Sequence, residues 1–94
     1  MAYLVIRHKV KDFAAWKPAF DKHGETRATA GGKGGWLLRA ADDRNNLMIA
    51  FEWDSIANAK KFVASEDLKR VMKEAGVIDK PDIYFLEEVE KFEK

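Results

Sequence analysis

Apolar positions along the chain fall into four short runs rich in β-branched and aromatic side chains. Such runs are typical of β-strands, because these side chains pack well on a pleated surface. Between the runs lie two longer stretches in which apolar residues recur every three or four positions, the spacing of one helix face. The four predicted strands are Tyr3–Val10, Trp36–Ala40, Leu47–Trp53 and Ile83–Val89.

The first helical stretch follows strand one and starts after Asp12, a suitable N-cap residue. Its apolar stripe consists of Phe13, Trp16, Phe20 and His23. The helix is predicted to run to about Ala30 and to end at Gly31-Gly32. Pro18 lies inside it and removes one backbone hydrogen bond, so a kink or a late helix start is expected there.

The second helical stretch divides into two helices, because it contains two N-cap signals. Asp54-Ser55 caps the first helix, Ser65 caps the second, and Gly76 ends the segment. The apolar faces consist of Ile56, Ala59, Phe62 and Val63 in the first helix and Leu68, Val71, Met72 and Ala75 in the second.

Two connections have a clear composition. Asp42–Asn46 is rich in turn-forming residues, so strands two and three are predicted to form a hairpin. Gly31–Gly35 contains four glycines and one lysine. It lacks the Lys-Ser/Thr ending of a phosphate-binding loop, so a flexible connection is the favoured interpretation.

The predicted order of elements is β-α-β-β-α(α)-β. This is the ferredoxin-like pattern, in which helices cover one face of a four-stranded antiparallel sheet. We therefore expect an α+β protein that forms one domain over residues 1–94, a length that suits a single core.

Both faces of the predicted sheet are largely apolar. In strand three, Ile49 and Phe51 share one face while Met48 and Ala50 lie on the other. Helices on one side leave the second face uncovered, and a large exposed apolar face usually marks an interface. A two-fold homodimer with sheets packed face to face is therefore predicted. The alternative is a monomer with aromatic side chains at the sheet margins.

Charge and cysteine content exclude several classes of function. The 17 basic and 16 acidic residues are interspersed, so no basic face for nucleic acid is expected. The chain has no cysteine, which excludes disulfides, thiolate metal sites and cysteine nucleophiles. No apolar run is long enough to cross a membrane, and the N-terminus does not resemble a signal peptide. A cytoplasmic location without membrane partners is expected.

Three groups of residues form a recognisable pattern. They are Glu52-Trp53-Asp54-Ser55 with Ala59, Phe62, Ser65 and Leu68; Val10-Lys11-Asp12-Phe13 with Trp16-Lys17 and Phe20-Asp21; and Glu74–Val77 before Pro81. Together they resemble the antibiotic biosynthesis monooxygenase-like and cyclase-like proteins of the dimeric α+β barrel superfamily, over nearly the whole chain. The resemblance implies the dimeric barrel fold. Members include cofactor-free quinone-forming monooxygenases, polyketide cyclases, haem-degrading enzymes and isomerases.

The sequence departs from the active members at two places. Many monooxygenase-like relatives carry a histidine in the helix after the Trp-x-Ser segment, where this chain has Phe62 and no histidine. Haem-degrading members use a late-helix histidine and a first-strand asparagine. Residues 55–80 contain no histidine, and the first strand offers His8 instead, so haem degradation is disfavoured.

The two histidines are the leading candidates for chemistry. His8 is predicted to share the apolar face of strand one, and His23 the apolar stripe of the first helix, so the two could line one cavity and act as general acid or base. The alternative is that both lie at wet ends of their elements. Two histidines without a carboxylate motif predict no metal site.

Further candidates would bind or orient a ligand. Tyr84 is a candidate hydrogen-bond donor, although a packing role at an interface is the more common one for tyrosine. Candidate pocket walls are Trp16, Phe20 and Trp53, whose simpler role is core packing. Arg39 could attract an anionic ligand, or it could be a solvated charge on an edge strand.

The sequence thus favours a cofactor-independent monooxygenase- or cyclase-like protein that binds a small aromatic or polyketide-like molecule between sheet and helices, without metal or flavin. The alternative is a non-catalytic dimeric ligand-binding or stress-related module. The two hypotheses predict different protein interiors. A ligand site needs a cavity of roughly 300 Å³ or more, whereas the non-catalytic module needs no cavity.

Overall fold

The computed structural model describes residues 1 to 94 and contains four strands and four helices. Asp12, Ser55 and Ser65 each accept a backbone N–H hydrogen bond at the start of α1, α3 and α4, which confirms the three predicted N-caps. In chain order the elements are β1 (Ala2–Lys9), α1 (Phe13–Lys22), α2 (Gly24–Ala30), β2 (Gly32–Ala40), β3 (Asp43–Trp53), α3 (Ile56–Ala64), α4 (Glu66–Glu74) and β4 (Asp82–Glu87).

The four strands form one antiparallel sheet in the order β2-β3-β1-β4. The first strand therefore lies between the third and the fourth, as the ferredoxin-like pattern requires. His8 pairs with Leu47, and Ile6 pairs with both Ile49 and Ile83. The predicted fold class is confirmed.

The glycine segment is not a flexible loop. β2 begins at Gly32 and runs beside β3, with a register shift between Gly32 and Gly35. Gly35 has a φ of 154°, and a Cβ atom there would collide with the backbone carbonyl of Ala50. Glycine permits this close approach of two backbones, so the residues that suggested mobility instead form a bulged strand.

The first helical stretch is broken at a different residue from the one predicted. α1 continues through Pro18, and the break falls at His23, which separates α1 from α2. The loss of one N–H at Pro18 is tolerated because Trp16 and Phe20 on either side pack against the core. The C-terminal end agrees with the prediction, since Gly31 ends α2 in the left-handed region with φ of 117°.

Two strand boundaries also differ from prediction. β3 begins at Asp43, so the hairpin turn is shorter than the predicted Asp42–Asn46. β4 ends at Glu87, two residues before Val89, which is almost fully exposed. Glu88 accepts a hydrogen bond from the Tyr3 hydroxyl at 2.8 Å instead of extending the ladder. No helix is both long and apolar enough to cross a membrane, and the cytoplasmic location stays a prediction.

The two faces of the sheet differ in what covers them. The helices cover the face that carries Leu4, Ile6, Leu47, Ile49, Phe51 and Trp53, all of which are buried. The opposite face, called the open face below, carries partly exposed apolar side chains on all four strands: Trp36, Leu38, Val5, Met48, Tyr84 and Leu86. The apolarity of both faces agrees with the sequence pattern.

Candidate functional site

A cavity of about 40 Å³ lies between the covered face of the sheet and the helices. Its walls are mostly apolar, and its polar side chains are His8, His23 and Arg27. The apolar lining consists of Ile6, Trp16, Phe20, Ile49, Phe51, Phe62, Leu68, Val71, Met72 and Ala75. The volume holds a few water molecules and is well below the roughly 300 Å³ typical of ligand sites.

His8 reaches this cavity because alternate residues of β1 point toward the helices. Its side chain is only 2% exposed, and neither ring nitrogen has a hydrogen-bond partner in the protein. Trp16 contacts it edge-on, with ring centroids 5.8 Å apart. Burial lowers the pKa of His8 from 6.5 to about 4, while Asp79 and Arg7 exert opposing smaller effects. His8 is therefore a neutral imidazole facing an apolar space.

His23 lies at the junction of α1 and α2 and is almost fully buried. Its Nε2 lies 2.9 Å from a carboxylate oxygen of Asp67, in the first turn of α4. A carboxylate only accepts hydrogen bonds, so Nε2 is the donor in this pair and Nδ1 is the ring nitrogen left to take up a proton. The hydrogen bond from His23 lowers the pKa of Asp67, and Arg70 adds to this effect. The pair has the form of a histidine base with an orienting carboxylate.

Arg27 lies on α2 and places its guanidinium over the ring of Phe20, 3.9 Å from the ring centroid. The ring of Phe51 lies 5.8 Å from the same group. One N–H donates to the backbone carbonyl of Phe20 at 2.7 Å, and no carboxylate forms an ion pair with it. Burial lowers the pKa of Arg27, with Asp21 opposing the effect. The cavity wall thus holds a cation without an acidic partner.

Aromatic side chains shape the cavity. Trp16 and Phe20 stack with ring centroids 4.9 Å apart, and Phe20 meets Phe51 at 6.3 Å. Phe20 thus lies between the ring of Trp16 and the guanidinium of Arg27, while Trp16 also contacts His8. The wall next to both histidines is therefore largely aromatic.

The structure brings together four of the seven residues singled out in the sequence. His8, His23, Trp16 and Phe20 line the cavity. Trp53, Tyr84 and Arg39 do not line it, and they lie at three different places in the fold.

Trp53 is fully buried beside the cavity rather than in its wall. Its indole N–H donates to the carbonyl of Ala30 at 3.2 Å, and its ring packs against Phe51 and Phe62. These contacts fix the end of β3 to α2 and α3. Trp53 is therefore a core residue, the simpler of its two predicted roles.

Tyr84 and Arg39 both lie outside the cavity lining. Tyr84 lies on the edge strand β4 and on the open face, so the sheet separates its hydroxyl from both histidines. Arg39 lies on the other edge strand and places its guanidinium 5.0 Å from the ring centroid of Phe13. The roles of both residues toward a ligand stay predictions.

Asp67 and Arg27 are the two polar residues of the site that sequence reasoning missed. Asp67 looked like an ordinary acidic residue in the first turn of a helix. Arg27 lies four residues after His23, the last residue of the apolar stripe, and a spacing of four places two side chains on the same face of a helix. That spacing was the available signal for Arg27, whereas the pairing of Asp67 with His23 depends on how α4 packs.

A wider polar groove borders the cavity on the outside. It has a volume of about 470 Å³ and lies between the α1–α2 junction and α4. His23, Val71 and Ala75 line both the groove and the cavity. The His23–Asp67 pair therefore stands between the apolar interior and solvent.

Comparison with solved structures places this architecture among known folds. A candidate antibiotic biosynthesis monooxygenase from Bordetella bronchiseptica has a TM-score of 0.78 at 16% identity, over 94% of this chain and 96% of its own. SnoaB from Streptomyces nogalater, described as a cofactor-independent oxygenase, has a TM-score of 0.69 at 16% identity, over 94% of both chains. The chain has the fold of antibiotic biosynthesis monooxygenase-like proteins. This confirms the ferredoxin-like α+β fold that the sequence resemblance implied, and the dimer stays a prediction.

A third protein of this group, named antibiotic biosynthesis monooxygenase, has a TM-score of 0.71 at 16% identity and covers 96% of this chain and all of its own. No protein-family model matches the sequence, and no curated protein matches it. Because identities are this low, the likeness establishes the antibiotic biosynthesis monooxygenase-like fold and leaves the chemistry to the residues of the cavity.

The cavity combines three chemical capacities. The His23–Asp67 pair can take up a proton, because the carboxylate stabilises the imidazolium that forms. Neutral His8 can accept or donate one hydrogen bond inside an apolar space. Arg27 supplies positive charge. No group of three or more histidine, aspartate or glutamate side chains is placed to hold a metal ion.

Proposed function

We propose that this chain is a cofactor-independent, monooxygenase-like protein that binds a small phenolic aromatic molecule between sheet and helices. The observation that carries the proposal is His8, a buried histidine with two unpartnered nitrogens beside the His23–Asp67 pair. Leaving a buried polar group unpaired costs stability, and such groups persist where function requires them. The fold shared with SnoaB adds support.

The proposed chemistry begins with a proton transfer. His23 takes the hydroxyl proton of a bound phenol, and Asp67 stabilises the resulting imidazolium. The phenolate is electron-rich enough to reduce O₂, which becomes bonded to a ring carbon. Loss of the C–H proton and cleavage of the O–O bond then give a quinone and water. For 1-naphthol, C₁₀H₈O and O₂ give C₁₀H₆O₂ and H₂O, so the electrons come from the substrate alone.

His8 has a separate role in this proposal. Its lowered pKa keeps the ring neutral at pH 7, so it is suited to hydrogen bonding rather than to holding a proton. A ligand oxygen would give one ring nitrogen of His8 the hydrogen-bond partner that it lacks in the protein. His8 would thereby orient the phenol toward His23.

Ligand entry requires the cavity to widen. Its 40 Å³ is too small for a naphthalene ring, whereas the 470 Å³ groove outside it is large enough. Val71 and Ala75 separate the two spaces on the side of α4. A small outward shift of α4 would join them, and a helix of nine residues is short enough to open locally.

The small cavity also favours a second candidate, a non-catalytic dimeric module with a filled interior. In that case the 40 Å³ space is a packing defect and His8 bonds to trapped water. A cyclase-like reaction is a variant of the first candidate, in which the same base removes a proton from carbon instead of oxygen.

Oxidation of 1-naphthol under ¹⁸O₂ tests the proposal. The catalytic candidate is expected to form 1,4-naphthoquinone with one ¹⁸O atom per molecule, faster than buffer alone, with no added flavin or metal. The non-catalytic module is expected to give the buffer rate. An equal rate with and without protein, at saturating 1-naphthol, would contradict the oxygenase proposal.

We further propose that the open face is the interface of a homodimer. Trp36 and Leu38 are each about half exposed, and the neighbouring strands continue the apolar surface with Met48 and Tyr84. A contiguous apolar surface across four strands is costly to leave in water. A second copy packed sheet to sheet would bury it, as in aligned sheet packing.

Replacing Trp36 with Glu is expected to dissociate this dimer. Light scattering of the wild type should give twice the 10.7 kDa of one chain, and the variant should raise the dimer Kd about 100-fold or more, because a charge would be buried without a partner. Val89→Glu is the matched control, since Val89 is 97% exposed beyond the sheet. A wild-type mass of one chain at micromolar concentration would refute the interface.

A further inference from the structure

Arg27 connects the cavity to a second opening on the opposite side from α4. Besides the cavity, Arg27 lines a surface depression of about 190 Å³ next to Gly34, Gly35 and Trp36. Phe20, Ile49 and Phe51 line both spaces as well. The guanidinium therefore lies at the boundary between an apolar interior and a shallow site at the bulge of β2.

The surroundings of Arg27 leave most of its hydrogen-bonding capacity unused. A guanidinium has five N–H donors, and one of them bonds to the carbonyl of Phe20. The rings of Phe20 and Phe51 offset part of the cost of burying the charge through cation–π attraction. Neutral His8 adds no negative charge, and Asp21 acts only at a distance. A ligand anion is the partner that this cation lacks.

Resting on the proposed function, we propose that Arg27 determines substrate specificity by selecting planar aromatic molecules that carry a carboxylate. The aromatic ring packs against Phe51 and the edge of Phe20, and the carboxylate bonds to the guanidinium in a two-pronged arrangement. The opposite end of the ring system then points toward His8 and His23. The arrangement explains why an arginine lies in a mostly apolar wall whose other polar side chains are His8 and His23.

The glycines of β2 favour this mode of binding. A Cβ atom at Gly34 would meet nothing within 4 Å, so the depression is open at this point. Gly35 brings the backbone of β2 close to Ala50 and leaves no side chain over Phe51. A carboxylate can therefore reach the exposed side of Arg27 without displacing a side chain of the bulge.

Binding of two matched probes tests the proposal. 2-Naphthoate carries a carboxylate and 2-naphthamide is its neutral analogue of nearly the same shape, so their affinities differ through charge. In NMR titrations of the full chain, the wild type is expected to bind 2-naphthoate about tenfold or more tightly than 2-naphthamide. Arg27→Met is expected to abolish this preference, and Arg27→Lys to retain part of it, since lysine keeps the charge without the planar fork.

Arg39→Met is the matched control, because Arg39 also lies over a phenylalanine ring but does not line the cavity. It is expected to keep the wild-type preference. If Arg27→Met does not fold, Arg27→Gln carries the same expectation and keeps a donor for the carbonyl of Phe20.

The outcomes separate this proposal from the function on which it rests. Equal affinity of the wild type for both probes, with shifts at His8 and Trp16, would overturn the role of Arg27 and leave the cavity as the site. An undiminished preference in Arg27→Met would do the same. If neither probe shifts His8 or Trp16, the cavity site and the role of Arg27 are both overturned.

Discussion

Replacing His23 with Gln is expected to lower the rate of 1-naphthol oxidation by about 10²- to 10⁴-fold, the usual contribution of a general base. Glutamine is similar in size and can keep a hydrogen bond to Asp67, but it cannot accept a proton. The rate of quinone formation at saturating 1-naphthol measures the effect. Because the hydrogen bond and the packing beside Phe62 are largely preserved, little loss of folding is expected.

Two companion variants distinguish a base from a structural residue. Asp67→Asn keeps a polar partner for His23 but removes the charge that stabilises the imidazolium, so it should weaken the base and lower the rate at saturating 1-naphthol, by less than His23→Gln does. Tyr84→Phe should leave the rate unchanged, because Tyr84 lies on the open face. A His23→Gln protein that retains the wild-type rate would remove His23 from the mechanism.

Replacing His8 with Leu is expected to stabilise the protein while impairing ligand binding. The substitution removes two unpartnered buried nitrogens and fills the same space with an apolar side chain. At pH 7 the free energy of unfolding should rise by about 1–2 kcal/mol. A stabilising substitution that weakens binding is the behaviour of a functional residue held at a cost to stability.

The pH dependence of stability gives a second test of His8. The pKa is 6.5 when the chain is unfolded and about 4 when it is folded, so the unfolded state binds more protons between these values. Stability from this group is fully present above pH 6.5 and is lost as the pH falls through 4, by ~3 kcal/mol in total. The lowered pKa values of Asp43, Asp67 and Asp79 act at more acid pH.

Urea unfolding at several pH values measures this dependence. The slope of the wild type between pH 6.5 and 4 should become flatter in His8→Leu. The same slope in both proteins would show that His8 is hydrated or partnered in solution, contrary to the buried neutral ring in the structure.

The fold followed from local patterns in the sequence. The caps at Asp12, Ser55 and Ser65 are hydrogen bonds within four residues, so neighbouring residue types are enough to predict them. The alternation of strands placed Ile49 and Met48 on opposite faces, because side chains of a strand point to opposite sides. The structure shows that Ile49 lies on the covered face and Met48 on the open face. These features depend little on distant contacts.

The errors arose where distant contacts decide the conformation. Gly35 suggested a loop, but it lies in a strand. The backbone carbonyl of Ala50 on the neighbouring strand comes so close that there is no room for a side chain at this position. Pro18 suggested a break, yet packing of the surrounding aromatic residues keeps α1 intact. Propensity is a weak guide at such positions, because tertiary packing overrides it.

The candidate site was predicted in part for the same reason. His8 and His23 lie on apolar faces that any sheet-and-helix packing brings together, so their shared cavity could be expected. Asp67 lies 44 residues from His23 in sequence, and only the position of α4 pairs them. Tyr84 was assigned to the site without knowing which face of β4 is covered.

The central claim is that an aromatic ligand binds between the sheet and the helices, next to His8. Intermolecular NOEs between 1-naphthol and the protein test this most directly, because they identify the side chains within about 5 Å of the ligand. The proposed site predicts NOEs to the rings of His8, Trp16 and Phe20. NOEs confined to Trp36, Leu38 and the rest of the open face, with none to His8, would contradict it.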